Sequence, residues 1–157
     1  MSLLGLTFTS VLLSTTTAAQ SIQPDSVQSK MYSNAIYGNI GIGGLWFTAT
    51  GYYERMLRRN AQPSKISTFI KAGFGAVGYW EGESQYILGH YGILTGTKKH
   101  HLEVSAGFVK AIGEDFDDFF PLSGLVGYRL QKPEGNFVFR TGIGWPEAFY
   151  LGVGVSF

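Results

Sequence analysis

The feature that most restricts what this chain can become is an alternation of period two that starts at Asn34 and runs to the terminal Phe157. Successive side chains on a strand point to opposite faces, so such a pattern marks strands with two unlike sides. The last stretch shows it best: Phe149, Leu151, Val153, Val155 and Phe157 share one face, and Tyr150, Gly152, Gly154 and Ser156 the other. Before it, Phe137, Phe139, Thr141 and Ile143 oppose Val138, Arg140, Gly142 and Gly144. Upstream, Leu122, Val126, Tyr128 and Leu130 oppose Ser123, Leu125, Gly127 and Arg129. Likewise Leu102, Val104, Ala106 and Phe108 oppose Glu103, Ser105, Gly107 and Val109. The pattern predicts eight strands, over 34–43, 45–57, 66–80, 85–96, 101–112, 121–130, 137–145 and 148–157. Polar turns rich in Asn, Pro and Gly separate several of them, at 58–65, 97–100 and 131–136. No amphipathic helix lies between them, which predicts an all-β, antiparallel, up-and-down arrangement.

One face is bulky and apolar; the other is small, glycine-rich and carries about one charge per strand. In a soluble calycin-like barrel the bulky face would line the interior. Eight strands leave room inside only for side chains or one small ligand. Rows of Phe, Leu and Val from every strand would overfill that space, and the small face would make a poor surface towards water. Inverting the barrel removes both difficulties. Only 15% of the residues are charged, against roughly a quarter in a soluble domain. No stretch approaches the roughly 20 apolar residues of a membrane helix, so a membrane would have to be crossed by strands. The expectation is an eight-stranded transmembrane β-barrel with its bulky face towards lipid.

The turns support an orientation. With eight strands both termini lie on one side, the periplasmic one in an outer-membrane barrel. The turns there carry Arg55, Arg58, Arg59, Lys65, Lys98, Lys99 and Lys132, with Glu134 as the sole acid. The opposite loops carry Glu81, Glu83, Glu114, Asp115, Asp117, Asp118 and Glu147, with Lys110 nearby. Aromatics gather near strand ends as interfacial girdles do: Trp46, Phe47, Trp80, Phe119, Phe120 and Trp145 at one rim, Tyr53, Tyr128, Phe137 and Phe157 towards the other. The net charge of +1 gives no reason to expect nucleic acid. The absence of cysteine excludes disulfides, thiolate metal sites, a cysteine nucleophile and a lipid anchor on a mature N-terminal cysteine.

Residues 1–19 read as a signal peptide: a modest apolar run from Leu3 to Leu13, then Thr17-Ala18-Ala19 with small residues at −3 and −1, although the usual basic start is missing. Residues 20–33 form a short polar linker and 34–157 the barrel domain.

Tyr52-Tyr53-Glu54-Arg55, Gly127-Tyr128-Arg129, Phe139-Arg140-Thr141-Gly142-Ile143-Gly144 and the terminal Gly152-Val153-Gly154-Val155-Ser156-Phe157 follow an order that resembles the eight-stranded outer-membrane barrels of the OmpA/OmpX type. The likeness is closest to small Bacteroidetes barrels of that kind, and it spans 34–157. It implies a place in the bacterial outer membrane, with lipid and the barrel insertion machinery as partners. Phe157 then resembles the C-terminal aromatic that this machinery reads as an assembly signal. The loops are much shorter than in adhesive relatives, which argues against an adhesin.

Six titratable side chains fall on the small face: Glu54, Lys71, His90, Glu103, Arg129 and Arg140. Buried charges must be paired. The expected register sets Glu54 diagonal to Lys71, Glu103 opposite Arg129, and Arg140 diagonal to Arg129 and sharing its carboxylate. An ion-pair plug is the main reading of this set, and a gate for small solutes the other. His90 with Ser105 could hint at a barrel hydrolase. Outer-membrane lipid A deacylases carry His-x-Ser, however, and His90 is followed by Tyr91-Gly92. His100 and His101 should point to opposite faces and so cannot share a metal. The acidic run from Glu114 to Asp118 lacks the glycine and spacing of an EF-hand. The glycines at 38, 41, 43 and 44 precede no helix, so they are not a phosphate loop. The expected function is an integral outer-membrane protein with a structural or interaction role, no enzymatic activity and no cofactor. The alternatives are a narrow small-solute pore or transporter and a periplasmic lipid-binding calycin-like barrel. Nothing in the sequence sets the oligomeric state.

Overall fold

The computed structural model describes residues 32–58, 66–80, 82–97, 99–112, 120–133 and 135–157. The expected signal peptide and the linker up to residue 31 lie outside these, as do Arg59, Lys65, Glu81, Lys98, Phe119, Glu134 and the acidic run from Glu114 to Asp118.

Eight strands follow in order: β1 (Asn34–Ile42), β2 (Trp46–Arg58), β3 (Ser67–Tyr79), β4 (Gly82–Thr97), β5 (His100–Ile112), β6 (Leu122–Gln131), β7 (Phe137–Trp145) and β8 (Ala148–Ser156). Each pairs antiparallel with its sequence neighbour, and β1 closes onto β8, giving an up-and-down barrel. No helix occurs among the described residues. The largest difference from the expected boundaries is at β4, which starts at Gly82 because its ladder continues to the pair Tyr79–Gly82. Its other end pairs Thr97 with His100. Gly44 turns the β1–β2 hairpin with φ +81°, a conformation open to glycine at little cost.

The two faces separate as the alternation predicts. Outward side chains are apolar and exposed, from Ile36 and Ile40 on β1 to Leu151, Val153 and Val155 on β8; Val153 is 55% exposed while its neighbour Gly152 is buried. The interior is larger in side-chain volume than a purely small face implies, because Tyr37, Tyr52, Tyr86 and Tyr150 all lie inside. Three of these rings, those of Tyr52, Tyr86 and Tyr150, lie against a glycine of the same inner surface. A Cβ on Gly73 would come within 2.8 Å of the Tyr52 ring, on Gly75 within 2.6 Å of Tyr86, and on Gly127 within 2.2 Å of the Tyr150 hydroxyl. The Tyr37 Cβ sits as closely over Gly154. The glycines that look like empty positions in the sequence are therefore recesses for rings, and the two together fill the interior.

A second group of glycines serves strand approach. A Cβ on Gly107 would lie 1.9 Å from the Gly89 carbonyl oxygen and 2.8 Å from the Cα of His90, so the β4–β5 backbone itself would have to move. On the outer wall, a Cβ on Gly38 meets nothing closer than the Thr50 carbonyl oxygen at 3.9 Å. Gly107→Ala should accordingly destabilise by at least the roughly 1–3 kcal/mol of an overpacked core, with Gly38→Ala near neutral. Urea unfolding of the refolded variants in vesicles checks this, and equal midpoints for the two would refute the packing argument.

Candidate functional site

All six side chains singled out from the sequence lie inside the barrel, each at most 4% exposed. Five of them, Glu54, Lys71, Glu103, Arg129 and Arg140, form one connected layer. Glu103 on β5 is the hub: Arg140 Nε donates to its Oε2 at 3.0 Å and Arg140 Nη2 to its Oε1, while Lys71 Nζ donates to Oε1 at 3.2 Å. Arg129 Nη1 donates to Glu54 Oε1 at 2.6 Å and stands 3.8 Å from Glu103 Oε2. Tyr37 completes Glu54 by donating its hydroxyl to Oε2 at 3.0 Å. The aromatic rings supply π faces for the cations. The Arg140 guanidinium lies 4.1 Å from the Tyr37 ring centre and Lys71 Nζ 5.1 Å from that of Tyr52.

The pairing differs from the expected one. Glu54 and Lys71 stand directly opposite rather than diagonal, yet they form no ion pair. Arg129 and Arg140 are also directly opposite. Glu103 faces Gly127, and the residue facing Arg129 is His101. Three of the four ion pairs skip at least one strand, β2 to β6, β3 to β5 and β5 to β7; the fourth, Arg129–Glu103 at 3.8 Å, joins adjacent strands and keeps the expected partners, set diagonally rather than directly opposite.

His90 sits beside this layer, between two hydroxyls. Its Nδ1 is 3.2 Å from Ser105 Oγ and its Nε2 2.8 Å from Ser123 Oγ, and Ser123 also donates to the Trp145 carbonyl at 2.5 Å. Among the described residues no carboxylate hydrogen-bonds His90. His100 and His101 do face opposite ways: His100 is exposed and shares a hydrogen bond with Tyr128, whereas His101 points inward and is buried. No grouping of three or more metal-ligating side chains occurs among the described residues.

A second layer lies nearer the mouth on the side of the β7–β8 turn, and its key residue was expected elsewhere. Glu147, one of the acids that the sequence places on the loops, is fully buried. The turn folds its carboxylate into the barrel, where Asn39 Nδ2 donates to both oxygens at 3.2 and 3.0 Å and the Tyr52 hydroxyl donates at 3.0 Å. Trp46 and Trp145, expected in an outer girdle, close the mouth from above. Trp46 shares the inward parity of Thr48, Thr50 and Tyr52, and its indole donates to the Pro146 carbonyl at 3.0 Å. The two indoles meet edge to face, 6.0 Å between centres. Trp80, Phe47 and Phe120 do stay exposed. Beyond the charged layer, at the other end, Met56, Phe69 and Leu94 form an apolar floor. The buried carboxylates Glu54, Glu103 and Glu147 thus match Lys71, Arg129 and Arg140 in number. Asn39 was legible as an inward residue from its parity with Tyr37; Glu147 carried no such signal, because a turn residue has no parity.

No family model matches the chain, and no curated protein or solved structure shows significant similarity to it. The functional reading rests on the arrangement itself. Its three buried carboxylates are held by cations, an amide and phenols, and three plug layers succeed one another along the tube.

Proposed function

We propose that this chain is an integral protein of the bacterial outer membrane, a plugged eight-stranded barrel with a structural or interaction role and no enzymatic activity. The observation that carries the reading is the inverted burial: charged side chains at the centre, exposed Ile, Leu, Val and Phe on the wall. Lipid is the solvent that suits such a wall, since exposing so much contiguous apolar surface to water is strongly unfavourable. Closure supports it as well, because every backbone group of a lipid-exposed strand needs a partner within the sheet. Strands of 9 to 16 residues meet the roughly 9–11 needed to cross a bilayer at a tilt. The filled interior weighs against both alternatives. A calycin needs an apolar cavity for its lipid, and a pore needs an open path past Glu103, Glu147 and the two indoles.

Two measurements test the proposal. Cell fractionation with mobility on unheated gels should place the folded chain in the outer membrane as a heat-modifiable species; a soluble periplasmic pool would overturn the membrane reading. Planar bilayers should show the purified barrel to be electrically silent, and steady conductance would replace the structural role with a pore.

Phe157 has a part in this reading beyond packing. Its side chain is exposed, and only its backbone is tied down, through reciprocal hydrogen bonds with Asn34. Truncating Phe157 to Ala should slow membrane assembly in cells while leaving refolding in detergent nearly unchanged. Equal loss in both settings would assign Phe157 to packing alone.

A further inference from the structure

At the mouth, the β1–β2 hairpin and the end of β3 enclose a notch of about 390 Å³ that straddles the rim. Two glycines build it. The Phe47 ring lies over Gly78, where an added Cβ would come within 2.4 Å of it, and the Trp46 ring lies over Gly43 at 2.1 Å. Both rings are thereby laid down rather than stood up. Ile42, Gly44, Leu45, Tyr79 and Trp80 form the remaining walls, and Trp80 is 90% exposed. Among the described residues no charged side chain lines the notch.

What could fill it follows from its chemistry and size. Its volume lies within the roughly 300–1,000 Å³ of small-molecule sites. Its eight lining residues fall far short of the roughly 20–30 per side that a stable protein interface uses, so the notch alone cannot hold a second copy or another protein. A polar ligand would find no side-chain charge to orient it. On the outer side the notch runs into the wall through Ile42 and Phe47, both exposed. We infer that it seats the end of one acyl chain of a membrane lipid, a site that rests on the membrane reading above. The chain would leave the bundle of wall-contacting lipids and fold over the rim against Trp46 and Trp80.

Brominated acyl chains quench tryptophan by contact and provide the test. The full chain carrying Trp145→Phe keeps Trp46 and Trp80, both in the notch. It is reconstituted into phosphatidylcholine vesicles with a rising share of brominated-chain lipid. A seated chain makes quenching saturate at a brominated share several-fold below that of random exchange around the wall. Gly78→Ala should push the free end of the Phe47 ring into the notch and return the curve to the random one, and Leu45→Ser should do the same from the opposite wall. A random curve in the parent, or no response to either substitution, overturns the proposal and leaves the membrane reading standing. A chain that fails to float with the vesicles overturns both. A floating chain whose tryptophans escape quenching, with copies cross-linked through the rim, assigns the notch to self-association and likewise overturns it.

Discussion

Glu103→Gln should destabilise the barrel by roughly 3–5 kcal/mol, the usual penalty for leaving buried charge without its partner. Glu103 accepts from Arg140 through both oxygens, from Lys71 at 3.2 Å, and faces Arg129 at 3.8 Å. Without its charge, three cations share Glu54 alone within that layer. Replacing Arg140 by Met in the same protein should recover part of the loss, so the double variant should be more stable than Glu103→Gln by itself. Glu147→Gln makes the control. Its partners are an amide and a phenol rather than a cation, and a glutamine retains an oxygen for them. Its loss should be clearly smaller. Urea unfolding of the four corners of the Glu103–Arg140 cycle in vesicles measures the coupling directly. Coupling near zero would mean that the two groups are separately hydrated and that the layer is not a network. The same variants speak to the plug. If neutralising Glu103 leaves the barrel silent in planar bilayers, the Glu147 layer and the indoles above it seal the tube on their own.

Val153→Arg should prevent stable insertion. Val153 stands on the outer face midway along β8, opposite Gly38 on one side and Phe139 on the other. An arginine at the mid-bilayer depth of a lipid-facing strand costs about 2–4 kcal/mol. At Gly152 the same side chain would instead run into the Asn39 amide, whose Oδ1 lies 2.0 Å from the site of an added Cβ. The two variants should therefore fail differently. Val153→Arg should lose insertion into vesicles yet still fold in a detergent micelle that lets the guanidinium reach water. Gly152→Arg should lose folding in both. Heat-modifiable mobility in the two settings distinguishes them, and wild-type insertion of Val153→Arg would sink the assignment of this wall to lipid.

The strands were legible because parity survives in the sequence wherever one face is apolar, and β7 and β8 show it without interruption. The six inner titratable groups followed from the same parity. Register was not legible. It depends on how each turn is built, and the Asn60 and Pro63 that mark the 59–65 connection as a turn leave its exact length, and with it the register of β2 on β3, open. The partners were further out of reach. Glu54 meets Arg129 from four strands away, across 75 residues of chain. Neighbour-by-neighbour pairing cannot reveal a contact through the lumen. Trp46 was assigned to a girdle from its position near a strand end, although its parity with Thr48 and Thr50 already pointed inward. Tyr52, Tyr86 and Tyr150 look out of place on a small face until each is matched to its glycine.

The cross-lumen pairing bears on how such a barrel can come together in time. In an open sheet Glu54 on β2 and Arg129 on β6 are three intervening strands apart; Lys71 stands opposite Glu54 on β3 and Glu103 on β5 lies 3.8 Å from Arg129, but the short Glu54–Arg129 bond needs the two walls to face each other. Hairpins can zip one by one, but that bond cannot form until the sheet has curled far enough to bring β2 across from β6. Its formation and the closure of the barrel are then coupled. Intermediates should keep a wet, open seam and the final step should be steep, so that half-closed forms are scarcely populated at equilibrium.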